Sequence, residues 1–187
     1  MNGSPHVIGQ PKAAQRGVAA LEFALVAIPF FLLLLGVIEF GRLLYVWNTV
    51  QEVTRNAARQ AVVTDFTDTA AIAAIKRSAV FRIDDGPLPA ASEITTAYVN
   101  IRYLNASYGD ATPMPSGPGD NITACLAAGR VDGCIRFVEV CVSTNTTCAA
   151  GGLISFVPMI GLFSQFVDLK IPLSTVRMPA ESLGFTP

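Results

Sequence analysis

Histidine is almost missing from this chain: the single one is His6, and none follows it. A domain built from the remaining residues has no imidazole, the most frequent general base, and no Ser-His or Cys-His pair to activate a nucleophile. Charge is scarce as well. Asp, Glu, Lys and Arg make up 14% of the 187 residues, where soluble domains carry about a quarter. The formal net charge of −1 offers no basic surface for a phosphate backbone, so nucleic acid is not expected as a partner. No Gly-x-Ser-x-Gly, Walker A or Gly-x-Gly-x-x-Gly motif occurs. Asp84-Asp85, followed by Gly86-Pro87, reads as a solvated turn and not as a catalytic carboxylate pair. Neither a cofactor nor an enzymatic activity is expected.

Cysteine is absent from the N-terminal half. Cys125, Cys134, Cys141 and Cys148 cluster in the C-terminal half, a distribution that suits disulfides in an oxidising compartment, with unpaired structural cysteines as the other reading. Zinc is disfavoured, because no Cys-x-x-Cys pair exists and His6 is far off in sequence. Four cysteines allow about three connectivities; the nearest-neighbour pairing, Cys125 with Cys134 and Cys141 with Cys148, is expected.

What the chain has instead is one long apolar run, Val18 to Ile38, interrupted only by Glu22. At about 1.5 Å per residue such a run spans a bilayer core of about 30 Å. The stretch from Phe23 to Ile38 carries no charge and so has no polar face for a soluble helix. Lys12 and Arg16 flank its N-terminal end without any acidic residue before it, and the positive-inside rule then places the N-terminus in the cytoplasm and the rest outside. Tyr45 and Trp47 are expected at the outer interface. Pro29 predicts a bend near Ala24–Pro29. Beyond the span, Val46, Val50, Val53, Ala57 and Ala61 recur at helical spacing, and the helix is expected to reach Val63.

Glu22 is the costly residue: an acid one turn into an apolar helix is unfavourable by about a few kcal/mol unless it reaches the headgroups or finds a partner. Its surroundings, Arg16-Gly17-Val18-Ala19-Ala20-Leu21-Glu22-Phe23, resemble the cleavage site of type IV prepilins of the tight-adherence (Tad) branch. The wider stretch Arg16–Arg59, with Glu39-Phe40-Gly41-Arg42 and the Ala/Arg-rich end at Arg59, resembles the TadE-like family of minor pseudopilins. A weaker likeness covers Phe156–Phe163 and an alternating strand ending at Arg177. Phe23 stands where the major Tad pilins have tyrosine, and the chain is longer than they are, which suits a minor subunit. The resemblance implies a type IV pilin-like architecture and cutting by a prepilin peptidase between Gly17 and Val18. Glu22, paired with a neighbour's new α-ammonium, would then set the register of packed helices. It also implies other pilus or pseudopilin subunits and an inner-membrane assembly platform as partners beside the lipid bilayer, with adhesion as the setting. An uncleaved single-pass inner-membrane scaffold is the alternative, and a membrane-tethered enzyme or sensor the third reading.

The organisation expected is therefore a leader at 1–17, a long helix at 18–63 with its transmembrane part at 18–40, and an α+β periplasmic domain at 64–187. In that domain the pattern predicts a helix over Asp68–Phe81, capped by Asp68 and with Lys76, Arg77 and Arg82 towards its C-terminal end. Strands are predicted over Thr95–Tyr103, Cys134–Val142 and Val167–Leu173, the last an edge strand because of Pro172, in an antiparallel sheet packed on the N-terminal helix. Tyr108–Gly119 is expected as an exposed loop. The apolar Leu153–Phe166, broken by Pro158, is too short for a second span and either packs under the sheet or forms a surface patch for a partner or lipid headgroups. The Asn-x-Ser/Thr sequons at Asn105, Asn121 and Asn145 are assigned no meaning.

Overall fold

An α-helix, α1 (Gln15–Ala61), opens the described part of the chain and runs through Pro29 without a break. The structure is a computed structural model that describes residues 15–159, 161 and 169–185; Lys12, expected on the inner flank, lies outside them. The chain divides into two units at Gly41/Arg42. In the first unit, α1 reaches a mean hydropathy of 2.6 with none of that window buried. Val18, Phe23, Val26, Leu33 and Val37 all project outward. An apolar helix exposed all round is what a lipid environment requires, and this one is long and apolar enough to cross a membrane.

The second unit begins at Arg42 and contains the rest of α1. There the apolar residues fall on one stripe, and Val46, Val50, Val53, Ala57 and Ala61 are all buried. Burial of each valine contributes about 1.5–3 kcal/mol, which holds this helix against its sheet. The helix ends at Ala61, two residues short of Val63, because Val62 and Val63 turn and the Thr64 hydroxyl takes the Gln60 carbonyl at 2.8 Å. Helix α2 (Thr69–Ala79) starts where Asp68 accepts the Ala71 N–H at 2.9 Å, the expected cap. It stops before Phe81 in a Schellman motif: the Arg82 N–H bonds the Arg77 carbonyl and the Phe81 N–H that of Ser78, with Phe81 at φ 58°.

The strand expected over Thr95–Tyr103 is present from Val99 onward, while Thr95 closes an earlier strand and Thr96–Tyr98 form a turn. β1 (Pro87–Leu88) and β2 (Ala91–Thr95) form a hairpin, a 3-10 turn (Thr96–Tyr98) follows, and β3 (Val99–Leu104) enters a different sheet. Alternation persists across the turn, so periodicity alone does not show the break. After a loop comes α3 (Pro118–Leu126), which the sequence reading missed; Pro118 occupies its first turn, where a missing N–H costs nothing. The loop before it buries Ala111 and Pro115 and is not wholly exposed as expected. A 3-10 segment (Ala128–Gly133) leads to β4 (Phe137–Val142), later than the predicted start at Cys134. β5 (Ile154–Ser155) pairs with β6 (Lys170–Ile171), and β7 (Ser174–Pro179) closes the main sheet. The strand expected over Val167–Leu173 thus retains only Lys170–Ile171 among the described residues; Val167 and Asp168 lie outside them.

The main sheet is antiparallel in the order β3-β4-β7, with Arg102, Glu139 and Arg177 in one cross-strand row. One face, including Val99, Val138 and Val140, joins the buried stripe of α1 in a single core. The C-terminal segment is tied to the end of α1: the Glu181 and Leu183 N–H groups both bond the Val62 carbonyl. Gly184, at φ 82°, passes so near Asp65 that a Cβ would lie 2.5 Å from its backbone nitrogen, so a side chain cannot be accommodated. The fold class is α+β, a long N-terminal apolar helix followed by a small domain of antiparallel sheets.

Candidate functional site

The residues expected to serve in processing and assembly lie in the first turns of α1. Gly17 and Val18 are helical and solvent-open, and nothing stands within 4 Å of where a Cβ on Gly17 would be. Arg16 is helical too. Glu22 follows one turn after Val18 and Phe23 beside it is exposed. Among the described residues Glu22 has no ion-pair or hydrogen-bond partner in its own chain, which leaves its carboxylate available to another molecule.

The family-motif residues do not form one cluster. Phe40 and Gly41 are exposed, Glu39 is buried, and Arg59 is exposed near the end of α1. Arg42 is the organising residue of the second unit. Its guanidinium donates to the Ala90 carbonyl at 3.1 Å and to the Val157 carbonyl. It pairs with Glu93 Oε1 at 3.4 Å and lies 4.2 Å over the Phe156 ring. Side-chain exposure is 9% for Arg42 and 3% for Glu93, so both charges are taken out of water. One turn on, the Tyr45 hydroxyl donates to the Pro89 carbonyl at 3.2 Å. Two residues three apart on one helix face thus take both carbonyls of the β1–β2 turn, where Ala90 adopts φ 59°. Arg42 joins separate chain segments of the second unit, a role that its place in the Glu39-Phe40-Gly41-Arg42 motif did not reveal. Trp47, expected at the membrane interface, is half-buried against the core instead.

The other end of this unit carries the cysteines. Cys125 is bonded to Cys134 and Cys141 to Cys148, with Cα–Cα distances of 4.8 and 5.7 Å. Asp120 and Arg130 form a two-point pair at 2.8 and 3.1 Å. The Arg130 guanidinium, helped by the Ser116 N–H, holds the Asp120 carboxyl well below the usual carboxylate range. The sequon asparagines have structural work. Asn105 and Asn145 cap tight turns through Ser107 and Thr147 N–H groups, and Asn121 bonds the Ile135 N–H at 2.8 Å. A cavity there of about 600 Å3 brings Arg136 and Glu181 to a wall otherwise made of apolar and amide side chains such as Ile122, Leu126 and Asn121.

The apolar segment from Leu153 splits between both readings: Ile154 and Phe156 are buried, whereas Leu153, Val157 and Met159 are exposed. This is the period-two alternation of a strand with one face on the core; residues 160 and 162–166 lie outside the described part.

Residues 17–59 match the family model described as TadE-like protein. The match starts at Gly17 and ends at Arg59, so it covers most of α1 and none of the β-strands. Among curated proteins and solved structures, none matches this chain.

Proposed function

We propose that this chain is a minor pseudopilin of a Tad-type pilus assembly system. In this reading a prepilin peptidase cuts it after Gly17, its second unit lies on the periplasmic side of the inner membrane, and α1 packs into the pilus or its assembly platform. The observation that carries the reading is the coincidence of three things on one helix. The TadE-like match begins at Gly17, the helix is apolar and exposed all round, and its single acid before Glu39 is Glu22, which has no partner among the described residues. A carboxylate inside a bilayer is unfavourable by about a few kcal/mol when unpaired. A cut after Gly17 creates an α-ammonium on Val18, and a neighbouring subunit's Glu22 is the charge that neutralises it. Such a pair fixes the axial register between helices whose apolar surfaces would otherwise slide.

The first test is intact mass, or N-terminal sequencing, of the protein from its native host, which is expected to show Val18 as the first residue. A chain still beginning at Met1 overturns cleavage and leaves the uncleaved membrane scaffold. The second test is Glu22→Ala, expected to insert in the membrane normally but to be lost from the assembly. Normal pilus biogenesis in that variant overturns the charge pair.

A further inference from the structure

Gly41 ends the apolar unit and Arg42 begins the next, so groups that Arg42 touches are close to the point where the chain leaves its membrane-compatible stretch. Around Arg42 the second unit opens a cavity of about 380 Å3 between the β1–β2 hairpin, Arg82 and Val157–Met159. Its rim is apolar and uncovered: Met159 is 77% exposed, Val157 53%, and Pro89 is exposed at the hairpin turn.

Beside these residues stands a guanidinium without a partner. Arg82 makes no side-chain hydrogen bond or ion pair among the described residues, while the neighbouring Asp85 faces Arg77 at 3.8 Å. Gly86 gives Arg82 its place, since a Cβ there would lie 3.0 Å from Nη2. The rim therefore offers large apolar side chains next to a free five-donor fork. A water-facing surface has no use for the first, whereas the boundary between acyl chains and phosphate headgroups satisfies both. Connectivity decides between a lipid and a protein occupant. Arg42 directly follows Gly41, the last residue of the apolar unit, so bilayer headgroups are the surface within reach of this rim. Two apolar residues are more exposed than Met159: Ile83, at 92%, follows Arg82 directly, and Leu126, at 83%, lines the cavity shared with Glu181. Glu181 bonds Val62, which stands about 30 Å from Arg42 along α1.

We propose that Met159, Val157 and Pro89 form, with Arg82, a surface that docks on phospholipid headgroups. The apolar side chains enter the acyl–headgroup boundary and Arg82 binds a lipid phosphate. The inference rests on membrane anchoring alone, so it stands or falls independently of cleavage and of pilus assembly.

The test uses the full chain in phosphatidylcholine vesicles containing a headgroup-spin-labelled phosphatidylcholine, with an environment-sensitive fluorophore on Met159→Cys or, as the comparison, Leu126→Cys. The native cysteines are all in disulfides, so the introduced thiol is the one labelled. Quenching is expected to be about threefold or more stronger at Met159 than at Leu126, and Val157→Cys is expected to follow Met159. Introducing Arg82→Glu is expected to remove about half of it or more, and Arg82→Lys to retain it. Quenching at Met159 and Val157 no greater than at Leu126 overturns the proposal and gives the rim to water or a protein partner. Strong quenching that Arg82→Glu leaves unchanged overturns the phosphate contact.

Discussion

Glu139 Oε2 lies 2.7 Å from Arg102 Nη1 on one neighbouring strand, and its Oε1 lies 2.5 Å from Arg177 Nε on the other. The glutamate side chain is 1% exposed, so the middle strand of the main sheet carries a buried carboxylate that, among the described residues, its two flanking arginines neutralise. Arg102 is tied further by Asp110 at 2.8 Å and by the Thr147 carbonyl. A cross-strand row of this kind fixes register, because slipping either neighbour by one residue leaves the buried charge unpaired. Glu139→Ala is expected to lower the stability of the full chain in detergent by about 2–4 kcal/mol, seen as an earlier denaturation midpoint by near-UV circular dichroism. Arg177→Ala is expected to cost about 1 kcal/mol, since that side chain is half in water. Equal losses from the two substitutions would refute this ranking.

Arg42 and Glu93 make the second buried pair, and there one Glu93 oxygen, Oε2, is without a partner among the described residues. The fork geometry of arginine is what serves the Ala90 and Val157 carbonyls together with Glu93. Lysine keeps the charge and loses that geometry. Arg42→Lys is expected to cost about 1–2 kcal/mol and Arg42→Ala about 3 kcal/mol. Proteolysis should open first at the β1–β2 hairpin and at 153–157, the segments that Arg42 holds, and faster in Ala than in Lys. If cleavage in both variants begins elsewhere, Arg42 does not bind these segments together.

The reach of the sequence was uneven for physical reasons. Helices announced themselves through period and caps: the buried stripe from Val46 to Ala61 and the Asp68 cap of α2 follow from local chemistry. β-strands depend on partners. Thr95–Tyr103 alternates throughout, yet the 3-10 turn at Thr96–Tyr98 leaves Thr95 in the hairpin and starts the main-sheet strand only at Val99, a break set by tertiary packing. α3 was hidden because its nine residues, Pro-Gly-Asp-Asn-Ile-Thr-Ala-Cys-Leu, contain weak helix formers; it is tied down by the Cys125–Cys134 disulfide and by Asn121, which accepts the Ile135 N–H. In the apolar unit, Glu22 stands out in the sequence because one acid in an apolar run has few explanations. The clamp at Arg42 was not, because its partners Ala90, Glu93, Phe156 and Val157 are distant in sequence. A lone acid in the β-branched run Phe137–Val142 was the available signal for the charge row at Glu139.

Each disulfide closes a short loop, with sequence separations of 9 and 7 residues. Loop-closure entropy then gives each about 2.5 kcal/mol. They act on different places. Cys125–Cys134 ties α3 to the entry of β4, and Cys141–Cys148 ties β4 to the turn that supplies the Thr147 carbonyl to Arg102. Cys141→Ala/Cys148→Ala is therefore expected to weaken the Arg102–Glu139 row as well as release entropy. Its loss should be non-additive with Glu139→Ala in a double-mutant cycle, by about 0.5 kcal/mol or more. Cys125→Ala/Cys134→Ala should add to Glu139→Ala within about 0.5 kcal/mol. Additivity in both cases overturns the link between the second disulfide and the charge row.

Tyr103 in β3 offers a pH-dependent test. Its ring packs on Phe66 at 5.6 Å between centroids, and its hydroxyl is buried with no hydrogen-bond partner among the described residues. Burial, and then the negative charge of Asp65, push its pKa up to about 12. A free tyrosine titrates near pH 10. The folded state therefore holds the proton longer than the unfolded chain. This contribution to stability is fully present below about pH 10 and is lost as pH rises from there towards 12. Tyr103→Phe removes the titration and an unsatisfied hydroxyl together. At neutral pH the variant is expected to equal the natural chain or exceed it by about 1 kcal/mol, because no bond is lost. Above about pH 10 the natural chain should lose stability relative to the variant. Parallel stability curves up to pH 12, or a loss of more than about 1 kcal/mol at neutral pH, would show that the hydroxyl is bonded or reaches water.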